Sequence, residues 1–352
     1  MYDEAPRMRH QLAELLVGFG QVVIFYQKPE YLFTRDEVLL NRIVSDKFEI
    51  RQTKQLIHHQ LRLSSWISDI NAKYEINQIY SSLSVIQVND IIVNFNYDYY
   101  FLRELFPKNK IITVINDDFI AQARFFKGKH VKESLEKVCS FSDAVLTVSY
   151  PLLSQVNQWT NKSYLFLPWT KNIYTPPDPN IIRESLLLWA HIDKRVDLGL
   201  LIYILENRKN YKIYMVGPID SNLSDTVVSL KEKYKNLVIL PSTQLDQLCI
   251  DQFFCSIIPY KSKVADIEAV TASNKTFQLM AKGLPLVTYG MPHFLEHNAI
   301  FKANSYQDFC EKLDISHSEF LSLQESIEEI VAINQPLQRY NQFVDIIQKV
   351  NF

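Results

Sequence analysis

The chain has 352 residues, enough to bury a large core and to form two domains. It is 47% hydrophobic and 22% charged, as in ordinary globular proteins, and its net charge of −2 offers no global field for nucleic acid. No apolar run reaches the ~18 residues of a membrane span, MYDEAPRMRH has no signal-peptide core, and Cys139, Cys249, Cys255 and Cys310 show neither CxxC nor Cys/His metal spacing, so the chain reads as cytoplasmic with reduced thiols.

In chain order, a polar loop leads into a helix over Arg7–Gly18. A doubly wound domain ordinarily starts on its central strand, so the first strand is expected to be missing through a misplaced or truncated start, with an unusual domain as the alternative. Short β-branched or aromatic runs then predict strands at Gln21–Tyr26, Asp90–Phe95, Lys110–Ile115, Asp143–Val148 and Ser163–Leu167. Such runs suit a parallel sheet covered on both faces. Helices are predicted at Arg51–Ala72, Tyr99–Phe106, Ile120–Phe141 and Tyr150–Gln158. Within the first of these, Arg51–Trp66 is basic with interleaved Leu, Ile and Trp. It reads as an amphipathic helix packed on the sheet, with an anionic membrane surface as the alternative.

TPPDP within Pro168–Pro179 is the most proline-dense point and the best linker. The domains expected are therefore 1–170 and 171–334, with 335–352 a separate amphipathic helix. A second α/β cycle begins with strand Ser185–Ala190, helix Asp197–Asn207 and strand Lys212–Val216. Helix Ser224–Tyr234, strand Leu237–Leu240, helix Gln244–Asp251 and strand Cys255–Pro259 follow. The fold class is α/β, two doubly wound Rossmann-like halves.

The segment 273–290, SNKTFQLMAKGLPLVTYG, carries the strongest functional signal. Asn274–Lys275–Thr276 open a helix that Gly283 and Pro285 stop, and Leu286–Tyr289 is the next strand. A polar helix start at a strand exit is where α/β proteins hold phosphates, and Lys275 in the first turn opposes the helix dipole unless an anion is near. Lys261, after Pro259–Tyr260, supplies a second cation, and Gln278 lies a turn beyond Asn274, placed for sugar hydroxyls. A plain capped β–α–β unit is the alternative. At other strand exits, Gly217–Pro218 ends a buried strand as a turn or a ligand edge, and Lys194 and Arg195, after Trp189–His191, face a diphosphate or solvent. Asp117 and Asp118 after Ile115 supply a general base, cap a helix, or do both. Arg7, Arg9 and His10 start the first helix near that same edge, with a surface role favoured.

These pieces, in this order over nearly the whole chain, resemble a GT-B glycosyltransferase of the group 1 type that builds bacterial polysaccharides. The resemblance is carried by EAPRMRHQLAELLVGFGQVVIFY, DAVLTVSYPLL, SLLLWAHIDKRVDLGLLIYI, KIYMVGPID, IIPYK and SNKTFQLMAKGLPLVTYG. DDF at 117–119 resembles an element of bacterial relatives such as the xanthan glucuronosyltransferase. The resemblance implies two Rossmann-like domains facing a cleft that hinge motion closes, with acceptor on the first, nucleotide-sugar on the second, and the last helix crossing back. It implies donor contacts from His191, Lys194 or Arg195, Gly217, Tyr260, Lys261, Asn274, Lys275, Thr276 and Gln278, with Asp117 or Asp118 as base. It also implies a UDP-type donor, a glycan or lipid-linked acceptor, no metal or other cofactor, and a place in the cytoplasm or against the inner face of the cell membrane.

The chain departs from the pattern at three places: Val270 and Gln278 replace two glutamates seven residues apart, Ser273 replaces a proline, and His191 a small residue. The missing glutamates and the aspartate pair favour inversion. A non-catalytic nucleotide-binding module and a nucleotide-sugar epimerase are the rival readings.

Overall fold

A computed structural model describes residues 7–32, 42–57, 64–83, 87–123 and 127–350. These fall into two units: one up to Leu167 and again from Arg339, the other Pro168–Gln338.

The first unit runs α1 (Met8–Gly18), β1 (Val23–Tyr26), β2 (Glu30–Tyr31), β3 (Arg42–Ser45), β4 (Phe48–Arg51), β5 (Lys54–Gln55), α2 (Ser65–Ser82), β6 (Ile91–Asn94) and α3 (Leu102–Leu105). It continues through β7 (Lys110–Ile115), α4 (Gly128–Phe141), β8 (Ala144–Thr147), α5 (Tyr150–Val156) and β9 (Ser163–Leu165). Strands β6–β7–β8–β9 form one parallel sheet. β1–β4–β3 is a separate sheet, parallel at β1/β4 and antiparallel at β3/β4, and β2–β5 a short parallel pair.

All of β8, and all of β7 but Lys110, is buried, as expected where helices cover both faces of a parallel sheet. Helix α4 lays Val131, Leu135, Val138 and Cys139 inward at helical spacing, three of them against Ile115 and Val145. Asp143 locks the lower edge, accepting from the Ile111 amide at 2.8 Å and pairing with Arg103 at 2.5 Å.

The second unit runs β10 (Ser185–Trp189), α6 (Leu198–Asn207), β11 (Lys212–Val216), α7 (Ser224–Lys233), β12 (Leu237–Leu240), β13 (Phe253–Pro259), α8 (Ala265–Glu268) and α9 (Asn274–Ala281). It closes with β14 (Leu286–Tyr289), β15 (Ile300–Ala303), α10 (Tyr306–Ser318) and α11 (Gln324–Ile333). Its single sheet has the order β12–β11–β10–β13–β14–β15, every pair parallel. The order reverses between β10 and β13, and in open α/β sheets the carboxyl edge at such a reversal is the ligand crevice. Asp197 caps α6, accepting from the Leu200 amide at 3.1 Å and from the Tyr306 hydroxyl at 2.9 Å. A last helix, α12 (Pro336–Lys349), sets Phe343 against Phe166 within the first unit, and Gln342 donates to the Leu165 carbonyl at 2.7 Å.

The expected doubly wound α/β architecture holds, with corrections. The helix predicted over Arg51–Ala72 is not one element: Arg51 ends β4, Lys54–Gln55 is β5, and α2 starts at Ser65, while 58–63 lie outside the described residues. Phe48 and Ile50 alternate inward with Glu49 and Arg51 half-buried, a strand period of two. The helix expected from Ile120 starts at Gly128; 120–123 are turn and 124–126 lie outside the described residues. Gln244–Asp251 forms two 3₁₀ turns, Leu245–Gln247 and Ile250–Gln252. The expectation of a missing first strand concerns residues before α1, and 1–6 lie outside the described residues.

Candidate functional site

At the reversal point, the loop after β10 is laced to both neighbours. On one side Ile192 donates to the Pro218 carbonyl at 2.8 Å and Asp220 to that of Ile192 at 3.0 Å. On the other, Lys261 donates to the Arg195 carbonyl and Asp197 to that of Pro259, both at 2.8 Å. Two glycines permit the close backbone approach this requires. A Cβ on Gly217 (φ 143°) would lie 1.9 Å from the Ala190 carbonyl oxygen, and one on Gly290 (φ 78°) 2.3 Å from that of Tyr260.

These strand exits and the start of α9 enclose a cavity of about 160 Å³ whose wall includes Trp189, Arg195, Tyr260, Val270, Ser273 and Lys275. Lys275 reaches back across the sheet end. Its ammonium donates to the Trp189 carbonyl at 3.3 Å and stands 5.5 Å from the centroid of the Trp189 ring. Burial, then repulsion from Arg195, holds the Lys275 amine below the ordinary lysine range, with Asp193 only partly offsetting them. Arg195 is forked onto Asp193, its Nε 3.0 and 2.9 Å from the two carboxylate oxygens. Burial pushes Asp193 upward, but the Arg195 hydrogen bonds outweigh it and leave that carboxyl below its usual range. Helix α9 adds the amides of Asn274 and Lys275, which a helix start leaves without intrahelical partners. The site therefore offers two cations, one already matched, and free backbone donors. That is the chemistry of an anion site.

Among the residues expected to hold the donor, Arg195, Tyr260 and Lys275 line the cavity. Lys194 is exposed and absent from the wall, where Arg195 stands. Lys261 is exposed; its backbone, not its amine, is fixed beside Arg195. Thr276 is fully buried, and its hydroxyl accepts from the Ser273 amide at 3.0 Å, which makes it a cap of the helix. Gly217 serves the close approach to Ala190. His191 is exposed, its Nε2 2.8 Å from an Asp220 oxygen. Gln278 is half-buried and makes no side-chain hydrogen bond among the described residues.

In the first unit, the two aspartates after β7 separate by role. Asp118 accepts from the Ala121 amide at 2.9 Å and holds the turn. Asp117 accepts from the Gln122 side chain at 2.6 Å and from the Asp118 amide at 3.1 Å. Burial raises the Asp117 carboxyl above its ordinary range, against those hydrogen bonds and the charge of Arg7. A carboxylate so raised is suited to take a proton. His10 is fully buried, its Nδ1 accepting from the Arg7 amide at 2.9 Å, which gives it a structural place in α1.

The sequence points to Trp189 and Asp193 only as members of the stretch 189–195, and to Gln122, Ile267 and Met291 not at all. Asp193 and Gln122 lie close in sequence to Arg195 and Asp117; Ile267 and Met291 reach the cavity only through the fold. Among the described residues no cluster of three or more His, Cys, Asp or Glu side chains is arranged to hold a metal. Likewise none of the described helices is long and apolar enough to cross a membrane.

No protein-family model matches the chain, and no curated protein matches it in sequence. Solved structures do. WaaG, a glycosyltransferase involved in lipopolysaccharide biosynthesis, is similar with a TM-score of 0.64 at 13% identity, over 99% of this chain and 98% of that one. The apo form of WaaB, a lipopolysaccharide outer core galactosyltransferase, is similar with a TM-score of 0.63 at 10% identity, covering 85% and 84%. Anabaena HepE in complex with UDP and glucose gives 0.59 at 9% identity, covering 86% of each. At such identities the likeness establishes the fold, which is GT-B with two Rossmann-like units.

Proposed function

We propose that this chain, with its GT-B fold, is a metal-independent glycosyltransferase that moves a hexosyl group from a nucleoside diphosphate, UDP first, to a glycan or lipid-linked acceptor in bacterial surface-polysaccharide synthesis. The single observation that carries the reading is Lys275: a desolvated, off-range ammonium beside Arg195 and a helix start, at the reversal point of the sheet. UDP and glucose bound to HepE support the choice of donor. The lipopolysaccharide roles of WaaG and WaaB support the choice of acceptor.

In this mechanism the diphosphate lies on Lys275, Arg195 and the amides of Asn274 and Lys275, with Lys261 and His191 at the rim and Gln278 toward the ribose. Asp117 takes the proton of the acceptor hydroxyl. The oxygen attacks the anomeric carbon, the bond to the phosphate oxygen breaks, and configuration inverts. The charge that develops on the leaving diphosphate meets preorganised cations and amides. The domain up to about residue 170 is assigned the acceptor, 171–334 the donor. Contact with the inner face of the cell membrane belongs to the same proposal, supported by Trp66 and Ile70, exposed a turn apart on α2.

The test is thermal shift with UDP, GDP, dTDP and CMP. One nucleoside diphosphate should raise the melting point by mass action, and Lys275→Met should weaken it more than tenfold, since losing a desolvated charge partner costs about 2–5 kcal/mol. No shift with any diphosphate refutes the donor site. Gln278 motivates a second reading, a nucleotide-binding module without catalysis, because an amide there lacks a carboxylate's charge-assisted bonds to hydroxyls. Transfer to an acceptor, or donor hydrolysis, removes that reading.

A further inference from the structure

We propose that the cavity at the β10 and β13 exits selects a donor whose sugar turns a deoxygenated, methyl-bearing edge inward, a 6-deoxyhexose in place of its parent hexose. The inference rests on the donor-site reading above.

Much of the rest of the wall is apolar: Ile267, Val270, Leu279 and Met291. Most polar side chains that reach the cavity are already engaged. The Ser256 hydroxyl donates to the Leu187 carbonyl at 2.8 Å, and the Ser273 hydroxyl lies 3.2 Å from that of Thr276. The Trp189 indole donates to the Thr243 carbonyl at 2.9 Å, and Arg195 is held by Asp193. A sugar hydroxyl pushed against Val270 and Leu279 would surrender water and gain no partner, whereas a methyl group there exchanges water for hydrocarbon.

Size agrees. The cavity, about 160 Å³, is close to the ~150 Å³ apolar cavity that stays dry and takes up benzene, so it admits one ring-sized body. Charge sets the orientation. Lys275 and Arg195 share the wall with these apolar residues, so the cavity suits a ligand with both an anionic and an apolar part. A nucleoside diphosphate ester of a deoxygenated sugar has that character.

The test uses the full chain and matched ligand pairs that differ only at the sugar's sixth carbon: UDP-glucose against UDP-6-deoxyglucose, dTDP-glucose against dTDP-6-deoxyglucose, and GDP-mannose against GDP-D-rhamnose. Free UDP, dTDP and GDP are the references, and calorimetric titration is the readout. For the nucleotide that binds, the deoxy member should bind about tenfold to a hundredfold tighter. Val270→Asn, which places a hydrogen-bonding amide in the wall, should shrink or reverse that ratio. Equal binding, or a preference for the parent hexose, overturns the deoxysugar inference while the donor site stands, because the free diphosphate still binds. If no free diphosphate binds, the donor-site reading falls, and this inference with it.

Discussion

Each unit holds a half-buried charged group beside a parallel strand exit, and desolvation drives the two in opposite directions on the pH scale. Asp117, after β7, is pushed up; Lys275, folded onto the end of β10, is pushed down. Both are moved toward neutrality, because a charge removed from water is costly until something compensates it. They differ in what surrounds them. Asp117 is steadied by Gln122 and by its own turn, an environment that keeps a proton acceptor in place. Lys275 has a carbonyl, an aromatic face and a neighbouring cation, an environment completed by an anion from outside. In the mechanism proposed above, the first group exchanges a proton and the second keeps its charge against the diphosphate.

The largest expected effect tests that division on the aspartates. Asp117→Asn should lower the transfer rate by about 10²–10⁴-fold with nucleotide affinity unchanged. Asp118→Asn should cost stability through its turn and far less rate. Equal rate losses in the two variants would erase the distinction drawn from their hydrogen bonds.

Acidity and alkalinity sharpen the contrast next. Asp117 has a raised folded-state pKa, so the folded protein holds more protons between the ordinary aspartate value near 3.9 and that raised value, and stability is lost as pH rises through this window. Lys275 has a lowered one, so the unfolded chain holds more protons between that value and the ordinary lysine value near 10.4, and stability is gained as pH rises there. Denaturant titrations across pH should show each contribution as a difference from wild type in the ligand-free protein. The stability difference for Asp117→Asn should vary with pH only in the acid window, and that for Lys275→Met only in the alkaline one.

The smallest effect separates capping from binding within α9. Thr276→Val should cost about 1 kcal/mol of stability, the worth of a helix cap, and leave diphosphate affinity as it was. A loss of affinity larger than the loss of stability would return Thr276 to the ligand.

What was legible in the sequence follows the range of the interactions involved. KIITVI and DAVLTV are mostly apolar and β-branched because both faces of their sheet are covered, and runs of that kind announce themselves. Asn274–Lys275 at a helix start was legible because Gly283 and Pro285 frame that helix. The helix drawn over Arg51–Ala72 failed because Phe48–Arg51 and Lys54–Gln55 are too short to display their period of two beside longer apolar spacings. The capping by Thr276 was visible as Ser273 three residues earlier, but a threonine in a phosphate motif draws the eye to the ligand. Lys275 on Trp189 joins residues 86 apart in sequence, and His191 meets Asp220 from another loop, so no local pattern encodes either contact.

Gly290 sets a limit on how this site can diversify. With only 2.3 Å between a would-be Cβ and the Tyr260 carbonyl oxygen, the exits of β13 and β14 are locked at backbone level, and no side chain can be introduced to wedge them apart. A descendant chain that takes a different ligand must keep that clamp and alter side chains elsewhere on the wall. Positions 267, 270 and 291, all apolar here and all on the cavity wall, are where new specificities have room to arise.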